Sequence, residues 1–298
     1  MMFKTLFFLL LTFGFYNAFG AVSVKWMTVA SVVIDDGKNR ILFDPAWTRP
    51  GMRHLLNLEK LKSDENLVKT VLEKNDLKKI DAVFASHSHF DHVLDAPMVA
   101  KLTGAIFYTD ESSERIARAY KDERIKTSAL KAYEKIKIGD FIITPLERKH
   151  AQILHLFDFL PGPVPENTDL SFWDYHTGDT WFFLIEHPEG VILLDQGSNP
   201  SVDNLKKYTQ KVDVLLQGIA NRKDDEAILE GYVKAYQPKF FIPLHFDNFF
   251  LDFNDGAESD MPGIKITEFL GKMKKAYPSV KTERPQYGKE VRVLEIER

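Results

Sequence analysis

The sequence contains no cysteine among its 298 residues. Disulfides, thiolate nucleophiles, cysteine-ligated zinc and iron–sulfur clusters are therefore excluded, and a metal ion must be held by histidine, aspartate or glutamate. The chain also lacks a basic excess, because 39 lysines and arginines stand against 43 acidic residues and give a formal net charge of -4. Proteins that bind nucleic acid through its phosphates are normally basic, so we expect no nucleic-acid partner.

The chain has enough apolar side chain to bury a core. Hydrophobic residues make up 44% of it and charged residues 28%, with 16 glycines and 14 prolines. This composition is typical of a globular protein and excludes collagen, a coiled coil and a wholly disordered chain. Because no internal repeat or low-complexity linker divides it, we expect one domain over residues 21–298.

The first 20 residues have the layout of a secretory signal peptide. Lys4 precedes an apolar run at 6–16, and Ala18-Phe19-Gly20 places small residues before a cleavage site. We therefore expect an exported, periplasmic protein that is cleaved near Gly20. The alternative is an uncleaved membrane anchor, because no charge occurs between Thr5 and Val24.

After the signal segment, predicted strands and helices alternate. Strands are predicted at 22–27, 28–34, 40–43, 80–85, 105–108, 133–138, 141–146, 181–185, 191–194, 212–219 and 240–244, with a last pair between 280 and 296. Helices are predicted at 61–74, after an Asp95 N-cap, and at 113–120, 224–236 and 264–276. Hairpins in both halves, mixed with β-α units, predict an α/β fold of two sheets with helices outside.

The segment Ser86-His87-Ser88-His89-Phe90-Asp91-His92 carries the clearest chemistry. It follows a predicted buried strand and offers three imidazoles and one carboxylate, which are good ligands for a borderline divalent metal. Alternate side chains after a strand point the same way, so His87 and His89 can face one point. Asp91 and His92 lie past the turn and can reach a second point. The spacing therefore suits two adjacent metals better than one. The alternative, a solvated histidine-rich loop without a metal, is disfavoured because such dense clustering at a strand end is rare by chance.

His87-Ser88-His89-Phe90-Asp91-His92 resembles the H-x-H-x-D-H signature of the metallo-β-lactamase superfamily. The resemblance implies a four-layer αβ/βα sandwich of two mixed sheets with helices outside. It also implies later ligands, each at the end of a strand, and His150, Asp195 and His245 stand in those positions in order. Asp44, which precedes a proline, resembles the aspartate that supports the site without binding metal.

The resemblance further implies a dinuclear centre with a division of roles. The first metal would be held by His87, His89 and His150, the second by Asp91, His92 and His245, and both would be bridged by Asp195. We expect two divalent ions, zinc first, with manganese or iron as alternatives. A hydroxide between them would attack the substrate, and Asp91 and Asp195 would be the catalytic carboxylates that offset metal charge and pass on a proton.

Departures from the family pattern narrow the substrate class. The absence of cysteine excludes the zinc β-lactamases with a cysteine ligand, and Asp195 disfavours the others. His89 stands where flavin-linked diiron reductases usually have glutamate. Asp44-Pro45 and Ile242-Pro243-Leu244-His245 resemble the branch of ascorbate-phosphate lactonases and phospholipase D-type phosphodiesterases. A hydrolase of esters, lactones or phosphodiesters is the function that the resemblance implies.

Residues 153–183 form the most individual feature of the chain. They are rich in aromatic and aliphatic side chains, and Pro161-Gly162-Pro163 prevents a long helix. We predict a lid that makes an apolar pocket, and its wall would be extended by Phe246, Phe249, Phe250 and Phe253. A small-molecule substrate would then carry an acyl, lipid or other apolar portion. The alternative is a covered edge of the core.

Two other classes of function stay open. One is a mononuclear iron oxidoreductase of the persulfide dioxygenase type on the same fold. The other is a non-catalytic envelope protein that keeps the metal structurally. Of the remaining histidines, His155 and His176 are candidates for substrate contact, whereas His54 and His187 are interpreted as surface loop residues.

Overall fold

The computed structural model describes residues 21–150, 152, 158–197, 202–220, 222, 224–253 and 259–295. The predicted signal segment, residues 1–20, lies outside this part of the chain. Among the described residues, no helix is both long enough and apolar enough to cross a bilayer.

The strands and helices follow the predicted alternation. The strands are β1 (Val22–Trp26), β2 (Val32–Asp35), β3 (Arg40–Phe43), β4 (Ala82–Phe84), β5 (Ile106–Thr109), β6 (Lys126–Ala129), β7 (Ile136–Ile138), β8 (Phe141–Glu147), β9 (Trp181–His187), β10 (Gly190–Asp195), β11 (Val214–Gly218), β12 (Phe240–Leu244), β13 (Lys281–Thr282) and β14 (Glu290–Leu294). The helices are α1 (Met52–Leu55), α2 (Glu65–Lys74), α3 (Phe90–Val93), α4 (Ala96–Thr103), α5 (Glu111–Ala119), α6 (Val202–Leu205), α7 (Asp225–Ile228), α8 (Lys234–Tyr236) and α9 (Ile266–Ala276).

The described strands form two mixed sheets of seven strands each. The first has the order β14-β1-β2-β3-β4-β5-β6, antiparallel as far as β3 and parallel from β3 to β6. The second has the order β13-β12-β11-β10-β9-β8-β7, parallel from β13 to β10 and antiparallel beyond. The predicted pairing of the last two strands is wrong, because β13 edges the second sheet and β14 the first.

The inner faces of the two sheets pack through aromatic rings. Phe84 of β4 stacks on Phe43 at 5.0 Å between ring centroids and meets Phe183 of β9 edge-on at 5.6 Å. Val83 points to the opposite face of the same strand and packs into a separate core with α2, α4 and α5. On the second sheet, Phe241 packs outward against Phe269 of α9 at 5.7 Å. Two sheets inside and helices outside confirm the predicted sandwich.

Asp95 is the N-cap of helix α4, as predicted, but its side chain makes no capping hydrogen bond. Its buried carboxylate instead accepts hydrogen bonds from Thr48 N at 2.7 Å, Thr48 Oγ1 at 2.8 Å and Ser63 Oγ at 2.5 Å. Burial raises the pKa of Asp95, although these hydrogen bonds favour its ionised form. Asp95 therefore fixes the loop between β3 and α2 against the start of α4.

Candidate metal centre

The candidate ligands lie where strands of both sheets end at one edge of the sandwich. His87 and His89 follow β4, and the single turn α3 carries Asp91 and His92. In the second sheet, β8, β10 and β12 run in the same direction, because β8 and β10 each pair antiparallel with β9 and β10 to β12 are parallel. Their carboxyl ends consequently share one edge with the segment after β4.

The first set of converging side chains comprises His87, His89 and His150. Their ligand atoms lie within 4.8 Å of one another. Nε2 of His87 is 3.0 Å from Nδ1 of His89, and the rings of His89 and His150 lie 4.7 Å apart. Nε2 of His89 donates to the carbonyl of Phe159 at 3.0 Å, because a carbonyl oxygen can only accept. The lone pair of His89 is therefore on Nδ1, which faces the other two histidines.

The second set comprises Asp91, His92 and His245, whose ligand atoms also lie within 4.8 Å of one another. Nε2 of His245 is 3.2 Å from Oδ2 of Asp91 and 3.2 Å from Nε2 of His92. The two sets adjoin, because the ring of His87 lies 3.9 Å from that of His92. The structure thus brings together six of the seven predicted ligands.

Asp44 lies beside the second set and holds the ring of His92 in place. Its buried carboxylate accepts from Ser86 N at 2.6 Å and Ser86 Oγ at 2.8 Å, and it lies 3.0 Å from Nδ1 of His92. Burial lowers the pKa of His92, but the carboxylates of Asp91 and Asp44 outweigh it and raise that pKa overall. A carboxylate on the outer nitrogen fixes the ring and makes the inner nitrogen a better ligand.

Two residues of the centre have left-handed backbone conformations. Asp44 has a φ of 48° and His245 a φ of 57°. Such values are uncommon for residues with a side chain and cluster at functional sites. The conformations are held by hydrogen bonds from Asp44 N to Phe84 O and from His245 N to Val29 O, both 2.8 Å long.

The surroundings of the candidate ligands favour neutral imidazoles and an ionised carboxylate, which are the forms that bind a metal ion. Burial, reinforced by the neighbouring histidines, lowers the pKa of His89 to about 4 and that of His150 to about 3, and lowers the pKa of His87 well below its usual range. These imidazoles are neutral at pH 7. Burial raises the pKa of Asp91, but His92 and other histidines outweigh it and hold that pKa below its usual value.

The donor set fits divalent cations. It consists of five imidazoles and one carboxylate, which suit zinc and its first-row neighbours. Nδ1 of His150 and Nδ1 of His245 are buried and have no hydrogen-bond partner among the described residues. A buried polar atom without a partner costs about 1–3 kcal/mol, which favours a ligand or a water at these positions.

Asp195, the seventh predicted ligand, belongs to neither set. It ends β10 and is fully buried, and its Oδ1 accepts from Gly197 N at 2.9 Å. The same oxygen pairs with Nη1 of Arg148. Its Oδ2 has no hydrogen-bond partner in the described part of the chain. The bridging role of Asp195 therefore stays a prediction, and its unpartnered Oδ2 favours a ligand or a water there, as at the two histidine nitrogens.

Both sets lie in the wall of an open cavity of about 790 Å³. Its other walls are largely apolar, with Phe159, Trp181, Phe249, Phe250 and Met261 among them. The ring of Phe159 lies 5.6 Å from that of His89, and the ring of Phe249 lies 5.5 Å from that of His245. The volume is that of a small-molecule site.

The predicted lid divides into two parts. Phe159 lines the cavity, whereas Leu170, Phe172 and Tyr175 are buried in the core beneath the helices of the first sheet. The described part of residues 153–183 therefore includes a buried edge of the core, and the lid stays a prediction that the position of Phe159 supports.

Arg148 is the residue that the sequence reasoning missed. It lines the cavity beside His150, two positions earlier in an extended segment. Side chains two apart after a strand point to the same side, so the spacing could have indicated it. Of the two histidines predicted to contact substrate, His176 is half-buried and His155 lies outside the described residues.

A third group of candidate ligand atoms, from Asp36, Asp140 and His187, lies at hairpin turns. The side chain of His187 is only 5% exposed, so its interpretation as a surface residue is wrong. Its Nδ1 accepts from Glu189 N at 3.2 Å, which leaves a proton on Nε2, 3.6 Å from Asp36. Asp140 pairs with Lys38 at 3.0 Å. We interpret this group as a histidine–carboxylate contact. A protonated Nε2 has no lone pair with which to bind a cation.

Comparison with known sequences gives one family. A profile of the metallo-beta-lactamase superfamily matches residues 24–183. A UPF0173 metal-dependent hydrolase of Anaeromyxobacter dehalogenans is 28% identical over 183 residues, which cover 58% of this chain and 61% of that protein. The chain therefore spans about three fifths of the length of the curated relatives it matches first.

Comparison with solved structures gives the same fold. Igni18, a novel metallo hydrolase from the archaeon Ignicoccus hospitalis, is similar with a TM-score of 0.58 and 17% identity, covering 91% of this chain and 97% of that one. CmlA, a diiron beta-hydroxylase from Streptomyces venezuelae, is similar with a TM-score of 0.59 and 12% identity, covering 92% of this chain and 54% of that one. Identities this low indicate a shared fold alone.

Proposed function

The chain belongs to the metallo-β-lactamase superfamily, and from that premise we propose that it is a metal-dependent hydrolase of ester, lactone or phosphodiester bonds. The observation that carries the proposal is the convergence of two three-residue ligand sets in one cavity wall. Two sets that adjoin at His87 and His92 suit two divalent cations. Zinc is the first expectation for a donor set dominated by imidazole, with manganese and iron as alternatives.

The side chains of the centre divide the work of hydrolysis. When bound, a pair of cations supplies a hydroxide nucleophile and polarises the attacked oxygen. His87, His89 and His150 hold their lone pairs ready, because burial keeps them neutral. Asp91 is held ionised by His92 and its neighbours and is the proposed group that receives a proton and passes it to the leaving group.

The cavity supports a substrate with an apolar portion. Phe159 and Phe249 stand against the two ligand sets, one on each side, and Trp181 and Met261 continue the apolar wall. An acyl chain or another apolar arm would bury its surface there, at about 0.8 kcal/mol for each methylene removed from water. A small molecule with a polar scissile group and an apolar arm is therefore the proposed substrate.

Export belongs to the same proposal. The charge and small-residue pattern of residues 1–20 supports cleavage after Gly20, and a membrane anchor is the alternative. Amino-terminal sequencing of the protein from the periplasm should give Ala21 first. A mature protein that retains Met1 and sediments with membranes would support the anchor instead.

An iron oxidoreductase is the second candidate function. CmlA, a similar fold, is a diiron beta-hydroxylase, and imidazole and carboxylate ligands also suit iron. Metal analysis separates the two candidates, because zinc with oxygen-independent hydrolysis supports the hydrolase and iron with oxygen uptake supports the oxidoreductase. The cavity beside the ligands argues against the other alternative, a non-catalytic protein with a structural metal, because a structural metal needs no adjoining cavity.

The test is metal analysis of the exported protein, followed by assays on esters, lactones and phosphodiesters with short and long apolar arms. We expect hydrolysis that a chelator abolishes and added metal restores. Asp91→Asn and His89→Gln should each lose at least about 1,000-fold in kcat/KM. His54→Gln, a change outside both ligand sets, is the matched control. Undiminished hydrolysis in metal-free protein, or in both ligand variants, would reject the proposal.

A further inference from the structure

We propose that Thr177 is a positioning residue for the first metal site, because its hydroxyl holds His89 with Nδ1 turned toward the other two histidines of that set. The inference rests on the proposed metal centre. It adds to that proposal a link between the first ligand set and the segment 158–180, which supplies Phe159 to the apolar cavity wall.

The first observation is the pair of oxygens around the outer nitrogen of His89. Nε2 of His89 lies 3.0 Å from Oγ1 of Thr177 and 3.0 Å from the carbonyl oxygen of Phe159. The hydroxyl proton of Thr177 can be donated to the carbonyl of Phe159 or of Leu160, each 3.1 Å away, which leaves a lone pair of Oγ1 for Nε2. Both oxygens can therefore accept from an Nε2–H, and they select the tautomer of His89 whose lone pair is on Nδ1.

The second observation is that the main chain fixes Thr177 independently of its hydroxyl. Thr177 N donates to Leu160 O at 2.8 Å, and Ser88 N, next to His89, donates to Thr177 O at 3.0 Å. Thr177 is also buried. A side chain that is locked by its surroundings can hold a metal ligand in one orientation, which a mobile surface side chain cannot.

The third observation is that the chain after Thr177 is held closely against the loop that carries the first ligands. Gly178 has a φ of 61°, and a Cβ built on it would overlap Oδ2 of Asp110 and Oγ of Ser88. The buried carboxylate of Asp110 accepts from Ser88 Oγ at 3.2 Å and from Asp179 N at 2.9 Å. The approach of Thr177 to the ligand loop is thus built into the backbone.

Phe159 connects the first ligand set to the cavity wall. Its ring lines the cavity and lies 5.6 Å from the ring of His89, whereas its carbonyl accepts from Nε2 of His89. The side chain and the main chain of this one residue therefore have different tasks. Loss of the Thr177 hydroxyl should weaken the first cation site, and loss of the Phe159 ring should not.

The test is a zinc titration of the metal-free protein by calorimetry, with His89→Gln as the variant that identifies the first site. Thr177→Val keeps the shape of the side chain and removes the hydroxyl. It should weaken the first site by about 10–100-fold and leave the other within about threefold of the wild type. Thr177→Ser keeps the hydroxyl and should retain most of the affinity. Thr168→Val, at an exposed position of the same segment, is the matched control.

The titration separates this role from a merely structural one. A hydroxyl that only stabilises the segment would lower the Tm of Thr177→Val without changing its zinc affinity. First-site affinity within about threefold of the wild type in Thr177→Val would therefore overturn the proposal. Equal losses in Thr177→Val and Thr177→Ser would overturn it as well. Thr177→Ala, which adds no atom, takes the place of the valine variant if that variant folds poorly.

Phe159→Ala tests the division between ring and carbonyl. Because the main-chain acceptor for His89 stays, the first-site zinc affinity should remain within about threefold of the wild type. The preference in kcat/KM for substrates with long over short apolar arms should fall. A loss of zinc affinity as large as that in Thr177→Val would contradict the assignment of the carbonyl.

The outcomes also separate this inference from the proposed function. A wild-type protein that binds two zinc ions and hydrolyses its substrates, with Thr177→Val unchanged in zinc affinity, would remove the role of Thr177 and leave the hydrolase proposal standing. A wild-type protein that binds no zinc, manganese or iron would overturn both.

Discussion

Asp44 shows at the scale of one residue how a proposed metal ligand, His92, is positioned by a side chain outside both ligand sets. Its carboxylate accepts from Ser86 and faces the outer nitrogen of His92, so the inner nitrogen is the one presented. Support of this kind typically contributes 10–100-fold to metal affinity.

Asp44→Asn should therefore weaken zinc binding at the second set by about 10–100-fold. Asparagine tolerates the left-handed backbone that Asp44 adopts, so the fold should persist. The measurement is a zinc titration, with Asp140→Asn at a hairpin turn as the control. An unchanged zinc affinity in Asp44→Asn would contradict the role assigned to this carboxylate.

The lowered pKa values of His89 and His150 have a consequence for the metal-free protein. An unfolded histidine titrates near 6.5, whereas folded His89 titrates at about 4 and His150 at about 3. Between these values the unfolded chain binds more protons, so stability falls as the pH is lowered from about 6.5 towards 3–4.

Urea unfolding of the metal-free protein between pH 7 and pH 4 measures this loss. We expect the free energy of unfolding to decrease steadily, and His89→Gln and His150→Gln should each make the decrease shallower. A free energy of unfolding that does not change with pH would show that these imidazoles are not buried as described. So would a slope in both variants that equals the slope of the wild type.

Residue identity also explains which ligands could be predicted from the sequence. His87, His89, Asp91 and His92 are close in the chain, and His150 and His245 each follow a strand of regular pattern. Asp195 has the same sequence context, but the sequence does not reveal that Arg148 contacts its carboxylate. An ion pair between two distant strand ends depends on how the strands are arranged in the sheet.

At the scale of elements, the loop after β10 has a specific packing requirement at Gly197. A side chain on Gly197 meets the guanidinium of Arg148, whereas Gly271 in α9 has open space where a Cβ would lie. The two glycines should therefore respond in opposite ways to the same substitution.

Gly197→Ala should destabilise the protein by about 1 kcal/mol, because the guanidinium of Arg148 must shift to make room for the added methyl group. Adding Arg148→Ala should recover part of that loss, a coupling that a double-mutant cycle measures. Gly271→Ala should raise stability by about 0.5–1 kcal/mol, because alanine is the better helix former. Equal effects of the two alanines on urea unfolding would refute this account of the loop.

The partners of the last two strands could not be predicted from the sequence pattern. Alternating hydrophobicity predicts that residues near 280 and 292 form strands, but it does not choose their partners. β13 joins β12 and β14 joins β1, so the chain crosses from one sheet to the other between them. That crossing depends on which sheet edge is open, a property of the assembled sandwich.

At the scale of the whole molecule, the proposed metal centre draws its ligands from both sheets. His87, His89, Asp91 and His92 follow a strand of the first sheet, whereas His150 and His245 follow strands of the second. Cations held by both halves bind the folded state and not the unfolded chain, so binding adds to stability.

Zinc at 1,000 times its dissociation constant should add about 4 kcal/mol for one site, seen as a higher Tm by calorimetry. Chelation should reverse the shift. His245→Gln should reduce it and His54→Gln should leave it unchanged. A Tm that zinc does not move in the wild type would contradict a centre shared by the two sheets.

The central claim, that two adjoining sets of three side chains hold two divalent cations, is tested most directly by anomalous scattering from crystals grown with zinc. The account predicts two neighbouring peaks, one contacted by His87, His89 and His150 and the other by Asp91, His92 and His245. Zinc peaks held by other residues, or no peak at these six side chains, would contradict it.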